Sequence, residues 1–201
     1  MTPRPGLRES KKRRTRAALA RAAWELLATE GLAAVTPESV AARVGVSGNT
    51  FRNYFSCREE AIIEVVIPRM ESLAEGLRAR PVDEPVWDSL THVLPVEMSA
   101  MFGRHADVVV LLRATKENPT ILAQHLTAIE RVKRLLAEAI HERTGDDDLP
   151  SRLLAEAAGL AVRTSIEVWA LGDESSSLAD IVTESITQLR SGIPVGDKGQ
   201  S

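Results

Sequence analysis

Apolar residues recur at intervals of three and four along nearly the whole chain, and no segment alternates with the period of two that marks a half-buried strand. The pattern predicts a succession of helices. A first helix over about residues 10–30 carries Ala18, Ala22, Ala23, Leu26 and Leu27 on one stripe and stops at Gly31. Two short helices follow. Thr36 is placed to cap the first, and Pro37 occupies its first position, where a missing N–H costs nothing. Val40, Ala41 and Val44 form its small apolar face, Gly45 is the turn residue, and Val46 plugs the corner. Ser47 caps the next helix, predicted to run to about Tyr54, with Phe51 and Phe55 inward. Gly48, Asn49, Thr50, Arg52 and Asn53 then point outward, a set of small and hydrogen-bonding groups.

The remaining pattern is also helical. Residues 58–79 place Ile62, Val65, Val66, Met70, Leu73 and Leu77 on one face, with Pro68 inside to kink or divide the helix. Ser56 with Glu59, or Cys57 with Glu60, has the spacing of a capping box at its start. Pro81 and Pro85 mark a linker. A helix from Val86 meets Pro95, which predicts a bend or break. Residues 106–116 form another helix. Asn118 and Pro119 open a long one to about Arg143, carrying Leu122, Leu126, Ile129, Leu136 and Ile140. After an acidic loop at 145–148, residues 151–171 are apolar almost all round, which predicts burial on several sides. A last helix spans about 177–191, and the tail after Gly192 reads as loose. The fold class is all-α.

Charge sharpens this picture. Residues 1–60 carry a net charge of +5 and the other 141 residues −8, although the whole chain is only −3. Arg4, Arg8, Lys11, Lys12, Arg13, Arg14 and Arg16 crowd the first 16 positions against Glu9 alone. A basic end beside two helices joined by a tight turn is the electrostatic footprint of a DNA-binding helix-turn-helix. Taken singly, a helical hairpin with a polar face and a solvated basic arm would look the same.

Enzyme chemistry finds little support. His92, His105, His125 and His141 are scattered, with no Cys or carboxylate at metal-ligand spacing. No phosphate-binding glycine loop and no GxSxG or HExxH motif is present. No cofactor is implied. The single cysteine, Cys57, excludes an internal disulfide and suits a reducing cytoplasm; a small residue opening a helix needs no redox role. No run of about 18 apolar residues suggests a membrane span, and the basic start is not followed by a secretory apolar stretch.

Residues 13–62 resemble the N-terminal domain of the TetR family of transcriptional regulators. The resemblance rests on Ala22-Ala23, Leu26-Leu27, Gly31, Thr36, Val40-Ala41, Gly45-Val46-Ser47, Thr50-Phe51, Tyr54-Phe55 and Arg58-Glu59 in that order and spacing. It covers about a quarter of the chain. It implies a three-helix helix-turn-helix domain over 1–57, a helical ligand-binding and dimerisation domain over 58–192, and a flexible tail over 193–201. It also implies a homodimer, paired through helices 151–171 and 177–191, on a palindromic double-stranded operator, acting as a ligand-released repressor. Control by a protein partner without any ligand is one alternative, and a small-molecule enzyme built on an all-helical bundle is another.

The resemblance assigns candidate site residues as well. Arg13, Arg14, Arg16, Thr36 and Arg58 would grip phosphates. Ser47, Gly48, Asn49, Thr50, Arg52, Asn53 and Tyr54 would lie in or beside the major groove. The chain departs from the family pattern at Arg52, where an aromatic residue is usual, at Cys57, where serine is common, and at Arg58, where lysine is usual. Arg52 can take a phosphate or a guanine edge, and sequence does not choose. A pocket for a hydrophobic effector would draw on Trp87, Met98, Met101, Phe102, His105, Leu122, His125 and Trp169. Residues 95–143 are similar to a subgroup that takes acyl-CoA-like ligands, for which Arg104, Arg113 and Arg163 could meet an anionic headgroup. Arg163 and Glu167 also have plain i,i+4 ion-pair spacing. Ligand binding would shift the helix holding Pro68, a candidate flex point.

Overall fold

A computed structural model describes residues 6–102, 104–145, 148–172 and 176–193. Arg4, Asp146, Asp147, the side chains of Met70 and Asp148, and the tail from residue 194 lie outside what it describes. Among the described residues the elements are ten α-helices and one 3-10 turn, with no strand. The chain divides into two compact units, one of residues up to Pro68 with Val109–Ala128, the other of Arg69–Val108 with the residues from Ile129 onward.

The first unit begins with α1 (Leu7–Glu30), a 3-10 turn (Leu32–Ala34), α2 (Pro37–Val44), α3 (Gly48–Arg52) and α4 (Arg58–Glu64). Helix α1 packs on α2 and α4, and α2 packs on α3. The predicted α1 stripe is buried at Ala22, Ala23, Leu26 and Leu27; nearer the N-terminus Leu19 and Ala20 are buried, while Ala18 is half-buried. The same core holds Val35, Val40, Ala41, Phe51, Phe55, Ala61 and Ile62. Phe51 and Phe55 pack as tilted rings with centroids 5.4 Å apart. Gly31 ends α1 at φ 84°, a conformation open to glycine and costly for other residues.

The second unit takes in α6 (Val86–Met101), α9 (Asp148–Leu171), α10 (Leu178–Ser191), α5 (Ile67–Arg78) from Arg69 onward, and parts of α7 (His105–Glu117) and α8 (Pro119–Thr144). Helix α10 packs against α6 and α9, and α6 also meets α9. Leu90, Leu94, Met98, Leu136, Ile140, Val182 and Ile186 are among its buried residues. Asn118 caps α8 as expected, accepting from the N–H groups of Thr120 and Ile121 at 2.9 and 3.0 Å. Arg143, near the end of α8, straps the α5–α6 connection. It donates to the carbonyls of Leu77 (3.2 Å), Arg80 (2.9 Å), Pro81 (2.7 Å) and Glu84 (3.1 Å), and to the hydroxyl of Ser89 (3.2 Å).

Four expectations are corrected. Helix α3 ends at Arg52, short of Tyr54, because the Tyr54 N–H turns back to the Phe51 carbonyl at 2.9 Å. The helix expected over 58–79 is divided, but at Val65 and Val66 rather than at Pro68 itself. Pro68 falls in the first turn of α5, where its missing donor is harmless. Pro95 does not break α6, which runs through it. Proline forfeits one backbone bond, and the burial of Leu94, Pro95 and Met98 holds the helix together across that gap. Finally, α9 is not buried on several sides within this chain. Ala155, Ala158, Ala161, Ser165 and Trp169 form its buried stripe, while Leu149, Leu153, Leu160, Val168 and Leu171 stand in solvent.

Candidate nucleic-acid interface

The helix-turn-helix is built from local devices that the sequence spells out. Thr36 and Ser39 form a reciprocal capping box: the Ser39 N–H donates to Thr36 Oγ1 at 3.1 Å, and the Thr36 N–H to Ser39 Oγ at 3.0 Å. Gly45 then adopts φ 74°, and the Val46 N–H returns to the Ala41 carbonyl at 3.0 Å, closing the turn. Ser47 caps α3 by accepting from the Thr50 N–H at 3.2 Å, and its hydroxyl lies 3.0 Å from that of Thr50. What remains in water is the outer face of α3. Asn49, Arg52 and Asn53 are exposed, and Gly48, Thr50 and Tyr54 are half-exposed. Arg13 and Arg14 are exposed on α1.

Two of the arginines expected at phosphates are turned inward. Arg16 Nε donates to Glu64 Oε1 at 2.6 Å, and Nη2 donates to Glu64 Oε2 at 2.9 Å and Glu60 Oε1 at 3.0 Å. Its Nη1 meets the Tyr54 carbonyl, and the guanidinium lies 4.3 Å from the Phe55 ring centroid. Hydrogen bonding to Glu64 raises the Arg16 pKa further above its ordinary value, against the opposing effect of burial. Burial alone would raise Glu60, but bonds from the Ser56 N–H (2.8 Å), the Ser56 hydroxyl (2.7 Å) and Arg16 outweigh it and hold the carboxyl below its usual range. Arg58 likewise donates to the carbonyls of Leu32 (3.1 Å) and Val35 (3.2 Å) and to Glu59 (2.9 Å). Both arginines tie α4 to the rest of the unit. Sequence reading missed the acceptors because Glu60 and Glu64 sit more than forty positions from Arg16. Their i,i+4 spacing, two carboxylates on one face of α4, was the available signal.

The pocket candidates divide between the units. Trp87, Met98, Met101, Phe102, His105 and Trp169 belong to the second, and Leu122 and His125 to the first. Met98, Met101, Phe102 and Trp169 are buried, Trp87 and His105 half-buried. His105 Nε2 lies 3.0 Å from the Trp169 carbonyl, with the two rings edge to face at 5.1 Å. The Trp169 indole donates to the Ser176 carbonyl at 2.8 Å. Leu122 is exposed. His125 Nδ1 is buried with no protein partner, and burial lowers its pKa, which favours the neutral ring. Arg104, Arg113 and Arg163 each pair with an acid on their own helix or at its start: Asp107 at 2.7 Å, Glu117 at 2.9 Å and Glu167 at 3.5 Å. Cys57 is half-buried, and its sulfur accepts from the Glu60 N–H at 3.4 Å, which makes it the cap of α4. No group of three or more His, Cys, Asp or Glu side chains among the described residues is arranged to hold a metal. No helix among them is long and apolar enough to cross a membrane.

Known proteins agree with this geometry over both parts of the chain. The model for bacterial regulatory proteins of the tetR family matches residues 19–65, and the one described as the MftR C-terminal domain matches residues 84–194, more than half of the chain. The HTH-type transcriptional regulator TcmR of Streptomyces glaucescens is 29% identical over 180 residues, covering 83% of this chain and 78% of that one. Among solved structures, Thermus thermophilus FadR, a TetR family repressor in complex with lauroyl-CoA, superposes with a TM-score of 0.63 at 20% identity over 92% of this chain and 98% of its own. Bacillus subtilis FadR in complex with stearoyl-CoA gives 0.62 at 19% identity, over 88% and 98%. These likenesses are to regulators rather than enzymes, and the helix-turn-helix over α2 and α3 has the matching place in the chain. This chain belongs to the TetR family of bacterial transcriptional regulators.

Proposed function

We propose that the protein is a ligand-released repressor that acts as a homodimer on a palindromic operator. The observation that carries the DNA half of this reading is the outer face of α3, where Asn49, Arg52 and Asn53 stand in solvent on a doubly capped hairpin. Asn49, Thr50, Arg52, Asn53 and Tyr54 are assigned to the major groove, and Arg13 and Arg14 to phosphates. Thr36, Ser47, Arg16 and Arg58 hold the frame that presents them, and Gly48 leaves room at the start of α3. The domain division into 1–57, 58–192 and 193–201 goes with this assignment.

The homodimer is supported by the exposed leucines of α9. Leu149, Leu153 and Leu160 recur on helical spacing, and Val168 and Leu171 continue the apolar surface. Exposed leucines aligned along one helix are suited to a symmetric partner. One recognition helix reads only a few base pairs, so two-fold pairing doubles the contacts. The effector is assigned to the hydrophobic class, acyl-CoA-like in particular. This rests on the buried Met98, Met101 and Phe102 and on the acyl-CoAs held by the two FadR proteins. Methionine adapts its shape to flexible apolar ligands. The division between α4 and α5, next to Pro68, is the assigned flex point. A DNA-binding regulator of this kind works in the bacterial cytoplasm.

The test is to mix purified protein with fragments of its own genome, recover what binds at moderate salt, and sequence it. A palindrome among the recovered fragments supports the reading, and lauroyl-CoA should then release it. Recovery of random fragments, or of single half-sites only, would overturn it.

A further inference from the structure

An exposed carboxylate on a DNA-facing surface needs a reason, because it repels the phosphates that the surface must approach. Glu38, in the first turn of α2, is such a group, 64% exposed at its side chain. Its Oε1 accepts from Arg52 Nη2 of α3 at 2.5 Å, and the Arg52 side chain is itself 54% exposed. Asn49 Oδ1 lies 3.5 Å from Arg52 Nη1, on the same face. The bond to Arg52 holds the Glu38 carboxyl below its ordinary range, so it is charged wherever DNA binding is measured.

Gly48 completes the arrangement. Its backbone does not require glycine, since its φ is not positive. What it lacks is a Cβ, which would lie 3.0 Å from Glu38 Oε1 and 3.5 Å from Arg52 Nη1. The carboxylate therefore rests against the open first residue of α3 and reaches the guanidinium across it.

This pairing changes what Arg52 can do. Glu38 cancels its charge, so the pair as a unit gains little from releasing counterions at a phosphate. The guanidinium keeps its remaining N–H donors in a fixed planar fork, and a fork held at one corner is oriented for a two-bond contact. The O6 and N7 edge of guanine is the base feature that accepts such a contact.

Building on the DNA-binding reading above, we propose that Glu38 is a positioning residue that holds Arg52 for readout of one guanine per half-site and turns it away from the phosphates. The alternative role for Glu38 is purely structural, as a first-turn acid favouring the α2 dipole. An exposed pair of this kind adds little to stability, so the two roles separate in DNA readouts rather than in melting.

The experiment titrates wild type, Glu38→Gln, Glu38→Ala, Gly48→Ala, Arg52→Ala and the Glu38→Ala/Arg52→Ala double variant against the recovered operator. It also uses operators substituted at each base pair and unrelated duplex, all at several salt concentrations. Thermal melts confirm that each variant folds. Wild type should prefer G·C at one position by about tenfold or more. Glu38→Gln and Glu38→Ala should lose most of that preference. Glu38→Ala should bind unrelated DNA more tightly, with a salt slope steeper by about one unit per protomer as Arg52 turns to a phosphate. Gly48→Ala should lose the preference in part, and the double variant should match Arg52→Ala at that position. Retention of the preference in Glu38→Ala overturns the proposal. So does its retention in Arg52→Ala with loss in Glu38→Gln, which would make Glu38 the reader. A wild-type protein with no preferred duplex overturns the DNA-binding reading itself.

Discussion

Helices α3 and α9 both leave side chains in water, and they do so with opposite chemistry. Helix α3 is five residues long and exposes amides and a guanidinium. Helix α9 is 24 residues long and exposes leucines. A short polar helix cannot hold itself together, and α3 depends on the Ser47 cap, the Gly45 turn and the burial of Phe51. Helix α9 is long enough to be stable and buries an alanine stripe, which leaves its opposite face free to carry bulk. One face offers directional hydrogen bonds and little area, the other offers area and no direction. The first suits a base edge, the second a copy of itself.

The sharpest way to break this comparison is on α9. Leu153→Glu puts a charge within the apolar stripe and, in the proposed two-fold pair, would appear twice. It should cost about 2–4 kcal/mol of association. Sedimentation should show a monomer with unchanged helix content, and operator affinity should fall with it. A dimer that survives Leu153→Glu would mean that the stripe is not the pairing face.

On the other side, Arg16→Ala removes the clasp behind α3 and leaves Glu60 and Glu64 without their cation. Partial solvent access moderates the loss, which should be about 1–3 kcal/mol in urea unfolding. Arg16→Lys should recover less than half of it, because an ammonium cannot serve two carboxylates and a carbonyl from one plane. Thr36→Ala opens the capping box of α2 and should cost about 1 kcal/mol. The smallest expected effect is in acid. The folded pKa of Glu60 is depressed below its ordinary 4.5, so its contribution is complete above that value and is lost as pH falls through the lower folded value. Melting temperature followed from neutral pH downward should decline below about 4.5, and this decline should be shallower in Arg16→Ala. Equal slopes would detach Glu60 from the clasp.

The same contrast explains what the sequence could disclose. Thr36, Gly45, Ser47 and Asn118 act on backbone within four residues of themselves, so spacing alone located them. The place where α4 parts from α5 and the course of α6 through Pro95 depended on burial elsewhere, and a proline reads alike whether it ends a helix, begins one or sits packed inside. Residues 151–171 showed that periodicity reports how apolar a helix is, and not which apolar side meets its own chain. In the basic cluster, Arg13, Arg14 and Arg16 are indistinguishable as letters. Arg16 has Glu60, Glu64 and the Phe55 ring within reach, and that distinction exists only once α1 lies against α4.

Arg143 carries a different kind of consequence. Surface connections ordinarily tolerate added or deleted residues, since longer loops cost little entropy. The α5–α6 connection is an exception, because one guanidinium fits carbonyls at four fixed positions between Leu77 and Glu84 as well as the Ser89 hydroxyl. A single inserted residue would carry the later carbonyls out of its reach. This stretch should therefore tolerate substitution at exposed side chains, such as those of Val82 and Asp83, but not a change of length.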